Sequence, residues 1–422
     1  MTKAIVHSCR PQQNSMQYSL RMSERDTTGE RETTGLKRES LPEKQHSADS
    51  RPVSIGRQDV SHRQGTGSRG LGLHHLPVSA LLAMLFCIAA VFLNGCALVE
   101  SQEVRTGLQQ ISDRDFADAV TTLQGAIDAG QETESAYRAL GIAQMGSGDY
   151  ESAAASLEKA LTLSSGIPGV TDYDTNFYLA SCYFKLGQAD KAIDVYNAIL
   201  ALDSRNTDAY LMRGTAEISE DAFDKADADF RRSIELDSAN YDRIITAYQT
   251  MDSYGYADAG KKYLSEAIQN HEDMDAYDKG RLSYYLGDYD TAKSCLETTQ
   301  SNTDYRTTLL LGETYEAQGD MNYAKDLYNA WLAADQTHPE IYNALGICCL
   351  KMGDAQSALT AFQAGEQITD GNTIMQALQW GEIVSYENLG EFKKASVAID
   401  SYLETYPEDE TAKREQTFLN TR

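Results

Sequence analysis

Three short stretches hold residue types whose spacing could do chemistry. The run "HEDMD", His271 to Asp275, sets a histidine beside three carboxylates, the donor types a divalent metal uses. A ligand set needs convergent geometry that one continuous run seldom supplies, so a solvated loop is the plainer reading. Cys348 and Cys349 are adjacent. Neighbouring side chains on a helix diverge by about 100°, so these two should not pair. Together with Cys182 and Cys295 they show neither metal nor disulfide spacing, and they read as small buried hydrophobes. The sequence has no phosphate-cradling glycine loop, nucleophile elbow or zinc spacing. These residues imply no enzyme, no metal and no cofactor.

The third stretch is "FLNGC", Phe92 to Cys96. It closes an uncharged run from Leu76 to Val99, preceded by Arg57, Arg63 and Arg69 and followed by Glu100 and Glu103. Twenty-four residues at 1.5 Å rise span about 36 Å, enough for a hydrocarbon core of about 30 Å. Basic residues stay inside, so everything after residue 99 is expected outside the cytoplasm. The sequence "LNGC" resembles the lipobox of bacterial lipoproteins, with Leu93, Gly95 and Cys96 at the key places. A small residue must adjoin the cut, and the cysteine thiol must be free to take lipid. That reading makes residues 76–96 a signal peptide and Cys96 the lipidation site on the extracytoplasmic face of a bacterial membrane. In the alternative the segment is an uncleaved anchor, and residues 1–75 remain cytoplasmic. Those first 75 residues are poor in apolar side chains and are expected to be disordered. A translation start further in, as at Val60, would leave a leader of ordinary length.

Charge separates the leader from the body. The chain has 37 Lys/Arg and 63 Asp/Glu, of which 12 and 8 precede Cys96. The body therefore carries a net charge of about −30, which repels phosphate backbones and argues against nucleic-acid binding. Only Pro168, Pro339 and Pro407 follow Cys96, so the body favours helix.

The elements that would position any site come from a repeat. "LGIAQMGSGDYESAAASLEKAL" aligns with "LASCYFKLGQADKAIDVYNAIL", "LGETYEAQGDMNYAKDLYNAWL" and "LGICCLKMGDAQSALTAFQAGE". Nine segments share four columns. A small residue recurs at position 8 (Gly107, Gly141, Ala180, Gly214, Gly280, Gly312, Gly346), broken by Tyr248 and Ile383. A turn residue recurs at position 15, glycine in all but Arg114 and Asp221. A small residue recurs at position 20, from Ala119 to Ala395, with Gly260 in the fifth segment. Position 24 is large throughout, from Leu123 to Ile399. Small residues let two helix backbones approach, and glycine ends the first helix in a left-handed conformation.

This pattern resembles the tetratricopeptide repeat (TPR), a helix–turn–helix unit of 34 residues, over residues 100–407. The resemblance implies an all-α, right-handed superhelix of about nine units, with residues 408–422 as a capping helix. Helix pairs at Tyr248 and Ile383 are expected to splay. Position 24 is expected to fill the gap between units. Ala412, Phe418 and Leu419 should hold the capping helix to the last unit.

The resemblance also implies a concave groove lined by first helices at positions 2, 5, 9, 12 and 13. Those positions supply Arg138, Phe177, Phe184, Leu211, Ile218, Tyr277, Arg281, Tyr284, Tyr285 and Trp380, an apolar and aromatic lining. An exposed apolar stretch of this kind marks a binding surface. The remaining tyrosines mostly fall at packing positions, among them Tyr183, Tyr315 and Tyr386 at position 11. The Lys-and-Asn pair that holds a chaperone's C-terminal carboxylate in one TPR subtype is missing from positions 5 and 9. The expected function is an extracytoplasmic, membrane-tethered adaptor for a protein or peptide partner in the cell envelope. A glycan-binding cell-wall accessory protein, or a regulatory subunit of an envelope enzyme, would share these features.

Overall fold

The computed structural model describes residues 101–164, 169–299, 304–368, 374–407 and 409–422. The leader and the apolar segment with Cys96 lie outside them, so the lipobox and anchor readings fall on undescribed residues. No helix of the described residues is long and apolar enough to cross a membrane.

All regular structure among the described residues is helical, and it forms nine helix–turn–helix pairs followed by one helix. The pairs are α1 (Gln102–Ser112) with α2 (Phe116–Asp128), α3 (Glu134–Gly146) with α4 (Tyr150–Leu163), and α5 (Val170–Lys185) with α6 (Ala189–Leu202). Next come α7 (Thr207–Ser219) with α8 (Phe223–Leu236), α9 (Tyr241–Ser253) with α10 (Ala257–Asn270), and α11 (Ala276–Leu286) with α12 (Tyr289–Thr299). The last are α13 (Tyr305–Gln318) with α14 (Met321–Ala334), α15 (Pro339–Lys351) with α16 (Ala355–Glu366), and α17 (Met375–Asn388) with α18 (Phe392–Thr405). The final helix is α19 (Glu410–Leu419).

Every pair turns in the same way. The position-15 residue has a left-handed backbone in all nine units, with φ from 70° to 88° at the seven glycines and 63° and 57° at Arg114 and Asp221. The next residue's N–H then reaches back to a carbonyl five residues earlier, as Gln188 does to Tyr183 at 2.8 Å. Asp115 and Ala222 make the same bond after the two non-glycine turns. The bond satisfies a carbonyl that the helix end would otherwise leave open. Capping side chains start many of the helices: Asp149 accepts from Ser152 N–H, and Asp354 from Ser357 N–H.

The small residue at position 8 and the large one at position 24 meet inside each unit. A Cβ on Gly141 would fall 2.6 Å from Leu157 Cγ, and one on Gly346 2.5 Å from Phe362 Cζ. Gly107, Gly214, Gly280 and Gly312 face Leu123, Phe230, Leu296 and Tyr328 in the same way. Position 24 therefore seals its own unit first, a correction to its expected place between units. The fifth unit exchanges the roles. Tyr248 takes the large part, and Gly260 on α10 lets the backbones close, a Cβ there lying 3.1 Å from Tyr248 Cα. The expected splaying at Tyr248 is thus replaced by close packing.

Each helix packs on its sequence neighbours, and the strongest contacts between next-nearest helices join first helices: α1 on α3, α15 on α17, α7 on α9. First helices therefore form the inner layer and second helices the outer one. Among the described residues most buried apolar side chains gather in six clusters along the array, each shared by adjoining helices, as a solenoid requires. The last cluster joins Ile383, Ala395, Ile399 and Tyr402 to Ala412 and Leu419 of α19. Phe418 stays 41% exposed, with the Arg422 guanidinium 4.8 Å from its ring centre.

Candidate binding surface

The inner layer is tied across unit boundaries by ion pairs between successive first helices. Arg138 on α3 lies 4.0 Å from Asp174 on α5. Arg243 on α9 reaches Asp208 on α7 at 2.8 Å, and Arg281 on α11 pairs with Asp242 on α9. Lys351 on α15 meets Glu316 on α13 at 2.5 Å. In two of these, Asp208 and Asp242, the acid sits at the second position of its helix, where the helix dipole also favours negative charge. Arg243 is 5% exposed, and it binds Asp237 at 2.6 Å as well. Such a buried cation persists only with its charge partners in place.

A second set of bonds joins three of the second helices to the first helix that follows. Tyr183 Oη donates to Glu158, Tyr315 Oη donates to Glu297 at 2.7 Å, and Gln363 Nε2 donates to Tyr386 Oη at 3.0 Å. Burial, reinforced by the neighbouring carboxylate, pushes the Tyr183 and Tyr315 hydroxyls up to about 12. They remain donors at every physiological pH. A lysine sits over each of these three rings, Lys191, Lys293 and Lys394, at 5.0, 4.9 and 5.4 Å.

The ten candidate groove residues separate into three groups. Leu211 and Ile218 are fully buried and Phe177 is 6% exposed, so these three belong to the core. Adjoining helices cover them, which corrects their assignment to an open lining. Phe184 is half-buried beside the Phe177–Tyr196 cluster, and Trp380 is half-buried with its ring 5.8 Å from Tyr402 of α18. Arg138 and Arg281 hold neighbouring units together through their ion pairs. The half-buried tyrosines of α11 remain. Tyr277 lies under Arg281, 5.4 Å from ring centre to guanidinium, and Tyr284 and Tyr285 meet edge to face at 5.3 Å. Tyr285 also lies 6.0 Å from Tyr248, and Tyr284 5.8 Å from Tyr289.

The sequence reading missed the acidic partners Asp174, Asp208, Asp242 and Glu316. Their signal was present: an Asp at position 2 in the third, fourth and fifth units, with an arginine in the next or preceding first helix. His271 and Asp275 of "HEDMD" have local roles. The imidazole meets the Tyr241 ring edge-on at 5.8 Å, and Asp275 accepts from Asp278 N–H at the start of α11. Cys182, Cys348 and Cys349 are buried, and burial pushes the Cys348 thiol up to about 12.

The geometry defines an α-solenoid of tandem helix pairs. Tetratricopeptide repeat sequence models match residues 144–214, residues 106–168 and 277–339, and residues 207–240, so tetratricopeptide repeats are found in those segments. A TPR repeat-containing protein of Methanocaldococcus jannaschii is 23% identical over 270 residues, 60% of this chain and 45% of that protein. The chain thus spans less than half the length of this curated relative. Among solved structures, yeast Tom70 is similar with a TM-score of 0.44 at 16% identity, over 74% of this chain and 66% of that one. A tetratricopeptide repeat protein from Parabacteroides merdae gives 0.39 at 14%, over 59% and 98%, and MamA gives 0.34 at 22%, over 42% and 97%.

Proposed function

We propose that this chain is a membrane-tethered adaptor that captures a protein or peptide segment on its inner layer, outside the cytoplasm in a bacterial cell envelope. The observation that carries the reading is the tyrosine group of α11. Tyr277, Tyr284 and Tyr285 stand half-buried in the middle of a layer whose charged side chains are engaged in ties between units. Aromatic rings fixed by their neighbours offer large contact area at little entropy cost. The tether rests on the sequence of residues 76–96 alone, and two or more acyl chains on Cys96 would hold so acidic a body against repulsion from anionic lipid.

Tyr277→Ser with Tyr284→Ser tests the capture surface. Thermal unfolding should change little, while recovery of crosslinked envelope proteins on the purified chain should fall. Unchanged recovery from a folded double variant would remove α11 from the binding surface. Recovery of cell-wall polymer without protein would replace the adaptor reading with the glycan one. Cys96→Ser tests the tether: the precursor should keep its full size and take no fatty-acid label, and retained label would end the lipobox reading.

A further inference from the structure

The ties between units occupy the cations of the inner layer and leave carboxylates over. From α9 to α17, groove positions 2, 5, 9, 12 and 13 hold six carboxylates against three cations, Arg281, Arg306 and Lys351. Arg281 is held by Asp242 and, at 3.0 Å, by Asp278, and Lys351 is held by Glu316 at 2.5 Å. Arg306 lies over its neighbour Tyr305, 5.9 Å from the ring centre. Among the described residues no cation pairs with Asp252 on α9, Glu340 on α15 or Glu387 on α17.

The same groove is short of donors. Glu340 Oε2, Asn343 Oδ1 one turn further along α15, and Glu387 Oε1 accept no hydrogen bond. All three side chains are half-buried. The first helices from α9 to α17 pack side by side, so these acceptors share one layer with the rings of Tyr277, Tyr284 and Trp380. An aromatic face attracts a cation. Tyr277 already does this for Arg281, 5.4 Å from its ring centre. A cleft lined by one sign of charge also concentrates the opposite sign.

We infer that the segment captured on this layer is cationic: its lysine or arginine side chains donate to Glu340, Asn343 and Glu387 and lie over the aromatic rings beside them. This rests on the capture reading and adds the charge of the partner. An ammonium or a guanidinium brings several N–H donors and no acceptor, which suits a surface with acceptors to spare. An acidic segment would add like charge to a body already at about −30.

Fluorescence anisotropy on the full-length chain in nonionic detergent tests this with three labelled peptides of one length, alternating Leu with Lys, Gln or Glu. The Lys peptide should bind at least about tenfold more tightly than the Gln peptide, and its affinity should fall steadily as salt rises. The Glu peptide should not bind. This comparison uses the unaltered chain alone, so it decides independently of any variant. Asp252→Asn with Glu340→Gln and Glu387→Gln keeps the side-chain shapes and should weaken the Lys peptide by about tenfold. Asp194→Asn with Asp258→Asn and Glu404→Gln removes the same charge from exposed sites on α6, α10 and α18. That control should change the affinity by less than about twofold. A Lys peptide bound no more tightly than the Gln peptide, or equal losses in the inner and outer variants, would overturn the inference. Recovery of crosslinked envelope proteins separates it from the adaptor reading. Recovery lost in Tyr277→Ser with Tyr284→Ser but kept in the inner carboxamide variant overturns the cationic partner and leaves the adaptor standing, whereas loss in both supports both.

Discussion

The Phe362 ring lies between two glycines, Gly346 of its own unit and Gly381 of the next. A Cβ on either would stand 2.5 Å from Phe362 Cζ. One aromatic side chain thus closes its helix pair and spaces the following pair. Gly381 thus sets the approach of the ninth unit to the eighth, while Ile383, at position 8 of the ninth, packs with Ala395 and Ile399 of α18 in the last core cluster.

Gly381→Ala should therefore destabilise the chain by about 1–3 kcal/mol, because a methyl group forces Phe362 off its seat. Gly125, on α2, has open space around it. Gly125→Ala should stabilise by about 0.5–1 kcal/mol through helix propensity alone. Urea unfolding midpoints of the two variants should move in opposite directions. Equal shifts would show that propensity, not packing, governs both sites.

The turns give a second expectation. Arg114 and Asp221 hold the left-handed backbone that glycine adopts freely at the other seven turns. Arg114→Gly should raise stability by about 1 kcal/mol, and Asp221→Gly by less, since short polar side chains tolerate this conformation. Thermal unfolding checks both. A fall in Tm for Arg114→Gly would mean that its side chain contributes more than its backbone strain costs.

These sites mark where sequence reading succeeds and where it stops. The helix count, the nine turns and the capping helix were legible because local chemistry sets them: glycine at Gly148 and small residues at Gly141 and Ala153 act within one unit. The groove was less legible. Positions 5 and 12 of a first helix face inward on average, yet whether Leu211 or Ile218 meets solvent depends on how closely the next unit approaches, a property of packing between units. The ion pairs escaped for the same reason. Asp208 and Arg243 are 35 residues apart, and nothing local to either identifies its partner.

Arg243 should be the most sensitive of these ties. Its guanidinium is buried, donating to Asp208 at 2.8 Å and to Asp237 at 2.6 Å. Removing Asp208 by Asp208→Asn leaves the cation with Asp237, so the cost should be modest. Arg243→Ala leaves Asp208 without this cation and opens space between α7 and α9, and should cost about 3–5 kcal/mol. A double-mutant cycle measured by urea unfolding should show coupling of at least 0.5 kcal/mol. Additive effects would mean that the pair is a consequence of packing between the fourth and fifth units, not a contributor to it.

Glu217 offers a pH test within the fourth unit. It is 7% exposed on α7, and its acidic neighbour Asp229 on α8 is already held by Arg213 through bonds of 2.6 and 2.7 Å. Arg213 therefore serves Asp229 first, and Glu217 Oε2 is buried without a partner. Burial, then the Asp229 charge, push the Glu217 carboxyl up to about 7. The folded chain holds this proton more tightly than the unfolded one. Stability is therefore fully present below about pH 4.5 and is lost as pH rises through about 7. Glu217→Gln keeps the shape and supplies an amide donor toward Asp229 at all pH values. It should leave the urea midpoint unchanged at pH 5 and raise it at pH 8, by up to about 3 kcal/mol in unfolding free energy. An equal shift at both values would mean that the change acts through packing, and no shift at pH 8 would mean that Glu217 ionises without cost.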